Sequence, residues 1–405
     1  MSDREVRSLD DALAFIASYI EAAIPPMRVS VSAAYDHLLA EDIVASVSLP
    51  RFDNAAMDGF AIRTDDVRPD GAACLKISQT ITAGQEALST LRAGEAARIT
   101  TGAPVPPGAD RVVVQEAARL DGDQVHLRAP AGGKLHIRKK GEDVAQGTVV
   151  MVAGTRIGPG QIALLSSLGL RSVLVVARPK VALLSTGDEL VDNPGLLEPG
   201  KIFDTNRPML IRMLQAAGAA VTDLGIARDD PELILERLVA AAADHDLLIS
   251  TGGASAGFAD HLTRIIVRRG YLEFWKLDMR PGKPVGFGDI DDCPILLLPG
   301  NPLAAAASFA LLGRAIIARL GGKGSNERHA WHLPVTSGIA KPPGRTQVLL
   351  GRLRQGLLGR ATAVEPLPDQ GSARLRYLAV ADVMIVLHSE QTEILEGDVV
   401  EVLPF

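Results

Sequence analysis

The sequence predicts an α/β plus β-rich class of fold: a multidomain chain with a three-layer α/β domain, a β-rich insertion domain and a C-terminal β-barrel. Three observations predict it. Between residues 179 and 320, continuous apolar runs such as VALLS (181–185) and DLLIS (246–250) alternate with amphipathic stretches. That is the pattern of buried parallel strands separated by helices packed on both faces of a sheet. Residues 51–144 instead show short alternating runs broken by Gly, Pro and Asp, as in a small β-rich domain. After Gly321-Gly322 and Gly324 the helical pattern stops, and residues 330–405 read as the short strands of a small barrel or sandwich. A chain of 405 residues agrees, because single cores rarely grow past roughly 300 residues.

The elements follow in order. Leu9, Leu13, Ile16 and Ile20 share one helical face, Ser8 with Asp11 starts that helix, and Pro25-Pro26 stops it. A β-prone stretch runs from Arg28 to Val47. In the β-rich part, strand runs are expected at 73–81, 96–100, 111–115 and 124–128. From Thr148 to Val176 the pattern is strand, a helix after Gly158-Pro159-Gly160 closed by Gly169, then strand. The β-rich part therefore reads as an insertion between two halves of one domain. In the α/β part, Asn206–Ala217 is a helix closed by Gly218, and Asp230 before Pro231 caps the next one. The strand YLEFWKL, the run PVGFG, the strand PILLLP and a helix from Pro302 complete the set.

Composition excludes several classes. The charge sum, 42 − 48 = −6, and only 15 aromatic residues (9 Phe, 4 Tyr, 2 Trp) argue against a nucleic-acid footprint or a base-stacking platform. The 2 cysteines, Cys74 and Cys293, are too few for a zinc site or a disulfide framework, so a reducing, cytoplasmic setting is the expectation. No secretory h-region opens the chain, and the apolar run 303–313 is too short to span a bilayer before Arg314.

In open α/β sheets, ligands bind beyond the carboxyl ends of the strands. Thr186-Gly187-Asp188-Glu189 follows VALLS, and Arg228-Asp229-Asp230 follows the strand at 220–225. TGGASAG (251–257) and then Asp260 follow DLLIS; Lys276, Asp278, Arg280 and Lys283 follow YLEFW; Pro299-Gly300-Asn301-Pro302 follows PILLL. Any one cluster has a plain explanation as a turn or cap. Five on one predicted edge point to a site. TGGASAG, with Gly252, Gly253 and Ser255, offers backbone N–H groups before a helix, a setting for anions, although a tight turn needing positive φ reads the same way. Lys276, Arg280 and Lys283 on a Pro-stiffened loop suit phosphate or another oxyanion, where a solvated loop is the simpler explanation. Glu189, Asp229 and Asp260 are the candidate metal ligands, since carboxylates beside a polyphosphate usually hold Mg²⁺.

The β-rich insertion adds FDNAAMDGFA (52–61), TTGAPVPPGAD (100–110) and RKKGEDV (138–144). Each, taken singly, reads as turn chemistry. No zinc-spaced histidines and no G-x-S-x-G elbow are present.

These motifs, in this order and together with IFDTNRPML (202–210) and IARDDPELI (226–234), resemble the molybdopterin molybdenumtransferases, the MoeA family, to which the gephyrin E domain is related. The resemblance runs from about Ser8 to Phe405 and is dense from Phe52 to Phe309. It implies four domains: 1–48 with 145–177 as a discontinuous linker and dimerisation domain, 49–144 as the insertion, 178–326 as a molybdopterin-binding α/β domain, and 327–405 as the C-terminal barrel. It implies an enzyme that inserts molybdate into adenylylated molybdopterin, depends on Mg²⁺ and releases AMP. It also implies a homodimer whose site lies between the α/β domain of one subunit and the β-rich domain of the other. The molybdopterin adenylyltransferase and recipient molybdoenzymes are further implied partners; nucleic acid and membrane are not.

Carried over by position, Asp58, Thr101, Asp143, Glu189, Asp229 and Asp260 are the implied catalytic set. Arg138, Thr186, Gly187, Gly252, Gly253, Ser255, Lys276, Arg280, Lys283, Pro299, Gly300, Asn301 and Ser372 are the implied substrate and anion contacts. The chain departs from the family at Arg280, where lysine is common, at Arg51, Phe258 and His261, and in reading GGASAG for GGVSVG. Two other readings share part of this pattern. An adenylyltransferase acting one step earlier has the same α/β domain type, but the insertion and the separate C-terminal domain speak against it. A non-catalytic gephyrin-like dimeric scaffold is disfavoured by the intact acid and cation clusters.

Overall fold

Helix α1 (Leu9–Tyr19) is capped by Ser8, whose Oγ accepts from the Asp11 N–H at 3.1 Å, and it buries Leu9, Ala12 and Ile16. Its spacing follows the sequence pattern, but its company does not. The computed structural model divides the chain into two units, Pro26–Val176 and Met1–Pro25 with Ala177–Phe405. Residues up to Pro25 thus lie with the α/β part in this division. The cause is the apolar stripe of α1, which enters the same core as Phe274, Phe287 and Phe309. The structure describes all residues except 1–5, 22, 87–88, 130–131, 193–194, 196, 253–265, 275, 323–329, 357–358, 369 and 372–374.

In the unit Pro26–Val176, β1 (Met27–Ser30) and β2 (Ile43–Val44) come before the β-rich stretch, and their partners come after it. The stretch holds β3 (Asn54–Ala55), β4 (Gly59–Ile62), β5 (Ala72–Ile81), β6 (Glu95–Ile99), β7 (Arg111–Val114), β8 (Ala118–Asp121), β9 (Gln124–Arg128) and β10 (Ile137–Arg138). Then come β11 (Val149–Met151), α2 (Pro159–Ser167) and β12 (Ser172–Val175). β1 pairs with β12 and β2 with β11, around a core that includes Leu39, Ile157 and Leu165. The stretch between them forms its own sheet, in the order β7-β4-β6-β5-β9-β8. Gly59 in β4 has no room for a Cβ, which would strike the Val113 backbone of β7.

The other unit continues with β13 (Lys180–Thr186), β14 (Leu190–Val191), β15 (Ile202–Phe203), α3 (Asn206–Ala216), β16 (Ala220–Ala227), α4 (Pro231–Ala242) and β17 (Leu247–Gly252). Next are β18 (Gly270–Phe274), β19 (Met279–Arg280), β20 (Gly286–Ile290), β21 (Cys293–Leu298) and α5 (Pro302–Leu320). The sheet order is β16-β13-β17-β21-β20-β18. β16, β13, β17 and β21 are parallel, but β20 is antiparallel to both β21 and β18. This corrects the all-parallel expectation. Asp291 and Asp292 both take positive φ (50° and 65°), the two-residue turn that joins antiparallel strands. α1, α3 and α5 cover one face and α4 the other, giving three layers.

Helix α5 runs through Arg314, where the sequence pattern ended the apolar run. By length and composition it could cross a membrane, yet 78% of its apolar window is buried in the fold, as in a core helix. It contains a π-helical stretch at Phe309–Gly313, where the Phe309 ring leaves no space for a side chain on Gly313.

The remaining elements are β22 (Trp331–Pro334), β23 (Ile339–Ala340), β24 (Thr346–Gln355), β25 (Ala361–Pro366), α6 (Leu375–Leu378), β26 (Val383–Leu387), β27 (Glu393–Ile394) and β28 (Val399–Pro404). Antiparallel pairing runs β22-β28-β26-β24-β25, and the bridge Val335–Val364 returns β25 to the end of β22. The strands thus close into a barrel around Leu349, Val364, Ile385 and Val402.

Candidate active site

Register places the carboxyl ends of the strands on one edge. Thr186 pairs with Ala227 on one side and Gly252 on the other, and Thr251 pairs with Leu298. β18 is antiparallel to β20, which is antiparallel to β21, so β18 runs with β21 and its end at Phe274 reaches the same edge. The loop 276–284 therefore emerges beside the other strand ends. The chain leaves β13 for β16 on one side and then crosses to β17 on the other. This makes the gap between β13 and β17 the switch point at which α/β sheets bind ligands.

Backbone fit at that gap is tight. Gly252 has φ +102°, and a Cβ there would strike the Thr186 carbonyl oxygen. A Cβ on Gly300 would come 3.6 Å from the Gly252 Cα, so the two glycine turns lie against each other. A Cβ on Gly187 would sit 2.6 Å from a Glu189 carboxylate oxygen. Asn206, at the start of α3, fastens the strand ends together. Its Nδ2 donates to Thr251 Oγ1 at 2.9 Å and to the Gly300 carbonyl at 2.8 Å, and Thr251 Oγ1 donates to the Pro299 carbonyl at 3.1 Å. Arg207, 12% exposed, holds α3 through ion pairs to Asp192, Asp204 and Asp223 at 2.7–3.0 Å. Neither Asn206 nor Arg207 was a predicted site residue; IFDTNRPML carried the signal only as a motif.

The acids divide. Asp230 caps α4, accepting from the Glu232 and Leu233 N–H groups at 3.0 and 3.3 Å. Asp229 is half-buried, and its Oδ1 is buried without a hydrogen-bond partner. Burial, then the Glu189 and Asp188 carboxylates, push its pKa above the ordinary carboxylate range. A carboxylate cluster with an orphaned buried oxygen fits a hard cation, which favours oxygen ligands. Among the described residues no three acidic, histidine or cysteine side chains already stand in coordinating geometry. Asp260, the third expected ligand, lies outside the described residues, as do Gly253, Ser255 and Ser372.

The cations line a cleft of about 700 Å³ between this sheet edge and the barrel. Arg280, Lys283, Pro299 and Asn301 contribute from the α/β part, and Arg345, Gln347, Gln370 and Gly371 from the barrel. Lys276 is exposed at the root of the same loop but is not among the lining residues. The loop is fixed at three places. Leu277 N–H donates to the Lys283 carbonyl at 2.9 Å, Thr346 N–H donates to the Asp278 carbonyl at 3.1 Å, and β19 pairs with the start of β24. Gly282, at φ +111°, lies over α5, and a Cβ there would come 2.7 Å from Ser308 Oγ. Arg345 Nε pairs with Asp278 Oδ1 at 3.0 Å. No sequence signal marked Arg345, Gln347 or Gln370, because the barrel brings them there across more than 60 residues from Arg280 and Lys283. A second, shallower groove of about 600 Å³ runs along α1 past Arg7 and Phe15 and gathers no comparable chemistry.

In the Pro26–Val176 unit, the three motifs that read singly as turns meet. Asp58 Oδ1 accepts from the Thr101 N–H at 2.6 Å and from its hydroxyl at 2.8 Å. These two bonds, the backbone one first, hold the Asp58 carboxyl below the ordinary range. Asp53 accepts from Lys139 Nζ and from the Lys140 N–H, both at 2.8 Å, which lowers its pKa in turn. β10 pairs with β3, setting exposed Arg138 beside Asn54, and Asp143 N–H donates to the Leu49 carbonyl at 3.0 Å. Asp58, Thr101 and Asp143 are all exposed.

Comparison with known proteins agrees along the whole chain. Residues 7–169 match the MoeA N-terminal region (domain I and II), 182–319 a probable molybdopterin binding domain, and 332–405 the MoeA C-terminal region (domain IV). Molybdopterin molybdenumtransferase 2 of Mycobacterium tuberculosis is 34% identical over 98% of this chain and 99% of its own. Molybdopterin molybdenumtransferase of Haemophilus influenzae is 32% identical over 98% of each. The crystal structure of a MoeA protein from Pyrococcus horikoshii superposes with a TM-score of 0.82 at 29% identity, covering 99% of both chains.

Proposed function

The chain belongs to the molybdopterin molybdenumtransferase (MoeA) family, and from that premise we propose that it inserts molybdate into adenylylated molybdopterin and releases AMP. The observation that carries this reading is the cleft at the carboxyl edge of the α/β sheet, where Arg280, Lys283 and Arg345 converge beside Pro299 and Asn301. Such a pocket suits an oxyanion: guanidinium and ammonium donors neutralise it, and the rigid loop spares them reorganisation. Thr186, Gly187, Gly252 and Gly300 would bring the substrate close to the backbone, because none of these four residues has a side chain larger than threonine. The chain need supply no nucleophile; a water or molybdate oxygen can attack the phosphoanhydride. Glu189 and Asp229 would hold Mg²⁺, with Asp260 as third ligand. The chemistry that ion supplies is neutralisation of charge on the pyrophosphate group.

Asp58, Thr101, Arg138 and Asp143 enter the same reading through a homodimer whose subunits share the site. The two bonds from Thr101 favour the charged form of Asp58, which would act as an electrostatic or proton-accepting group. A cytoplasmic setting belongs to the reading as well, in keeping with two free cysteines. The decisive experiment gives the purified protein adenylylated molybdopterin, Mg²⁺ and molybdate. Molybdate-dependent AMP release is expected. No release would overturn the assignment, and formation of adenylylated product from ATP would point to the earlier adenylyltransferase step.

A further inference from the structure

Lys341 is a buried cation, 6% exposed, in a barrel loop that no motif marked. Among the described residues its ammonium has no carboxylate within ion-pair distance. It donates instead to three backbone carbonyls: Arg345 at 2.8 Å, Ser389 at 3.2 Å and Pro342 at 3.4 Å. An ammonium has three donors, so this cage satisfies it completely. The backbone around it is braced further, as Lys341 N–H donates to the Thr392 carbonyl at 2.9 Å and Gly344 N–H to Ser389 at 3.1 Å. A buried charge is costly unless it is fully hydrogen-bonded, so a lysine spent on tying down a turn whose other four residues are exposed calls for a reason.

The reason lies at the residue whose carbonyl Lys341 grips most closely. Arg345 lines the cleft opposite Arg280 and Lys283, and its Nε reaches Asp278 at 3.0 Å in the cation loop itself. The next residue, Thr346, donates its N–H to the Asp278 carbonyl at 3.1 Å, and Thr346 and Gln347 pair with Met279 and Arg280. Fixing the Arg345 backbone therefore fixes both the third cation and the strand β19, which holds Arg280 and leads into the loop of Lys283. We propose that Lys341 is a positioning residue for recognition of the molybdate oxyanion: by caging the turn 341–345 it sets Arg345 and the Arg280–Lys283 loop in register across the cleft. This rests on the oxyanion reading of the cleft given above.

Lys341→Met removes the donors and keeps the aliphatic stem; Lys341→Arg keeps donors. In the AMP-release assay, Lys341→Met is expected to raise the half-saturating molybdate concentration about tenfold or more, the scale on which a misplaced binding group is felt. The half-saturating concentration of adenylylated molybdopterin should move less than about twofold, a difference within ordinary context effects. Lys341→Arg should restore part of the loss, and Arg345→Ala should reproduce it. A Lys341→Met protein with unchanged molybdate dependence, or with both concentrations raised alike, overturns the proposal. Amide hydrogen exchange on the full-length chain gives a readout without substrate. Thr346 and Gln347 should exchange faster in Lys341→Met while Val383–Leu387 stay protected, and unchanged exchange at 346–347 also overturns it. Wild-type protein without molybdate-dependent release, but with that exchange pattern intact, would instead refute the oxyanion reading and leave Lys341 as a clamp of the cleft.

Discussion

The α/β sheet edge and the β-rich insertion carry comparable densities of Gly, Pro and Asp, yet they assemble their polar groups by different means. At the sheet edge each cluster follows its own strand, and parallel pairing alone brings Thr186, Ala227, Gly252 and Leu298 to one line. In the insertion the clusters are loops whose partners lie 43 to 87 residues away, as in Asp58–Thr101 and Asp53–Lys140. The first kind of site inherits its geometry from the fold class. The second depends on individual hydrogen bonds, and so breaks more locally.

That contrast can be broken first at Asp58. Asp58→Ala is expected to lower the AMP-release rate by about 100- to 10,000-fold, the range for a group acting on a proton or a developing charge. Its exposed position predicts an unfolding midpoint like that of the parent chain, read by calorimetry. A midpoint that drops with the activity would make Asp58 a structural residue instead.

The sheet edge should respond in the opposite way, through stability. Gly252→Ala meets both a φ of +102° and the Thr186 carbonyl, so it should cost about 2–4 kcal/mol in chemical denaturation. Asn206→Ala leaves the Gly300 carbonyl and Thr251 hydroxyl without their donor and should cost about 1–3 kcal/mol. Values near zero for both would mean that the strand ends are not held as a unit.

The smallest effect concerns pH. Burial and two neighbouring carboxylates raise the Asp229 pKa in the folded chain above its unfolded value. Such a group destabilises the fold once pH rises through the ordinary carboxylate range, and it does so no longer when pH falls below that range. Asp229→Asn should therefore raise the unfolding midpoint slightly at neutral pH, measured without divalent cations, and the gain should vanish in acid. The parent chain should regain the same stability at neutral pH on adding Mg²⁺. No response to Mg²⁺ in the parent would detach Asp229 from metal binding.

Much of the local structure was legible because its causes are local. Ser8 and Asp230 cap helices, Gly169 ends one at φ +76°, and VALLS and DLLIS are buried central strands. The Asp291-Asp292 turn shows where a local signal went unread: two aspartates between apolar runs turned the chain back and made β20 antiparallel. The α1 stripe marks a helix face, yet its period says nothing about which core it enters.

By itself, then, the sequence determined the periodicities, caps and turns, and through them the fold class and the row of polar clusters along one sheet edge. These depend on residues a few positions apart. Only the tertiary structure decided that α1 serves the α/β core and that FDNAAMDG meets TTGAP and RKKGED. It alone decided that Arg345, steadied by Lys341, completes a cationic cleft begun by Arg280 and Lys283. Such contacts close loops of tens to hundreds of residues. Their entropy is met by the folding of whole domains rather than by any signal within the segments themselves.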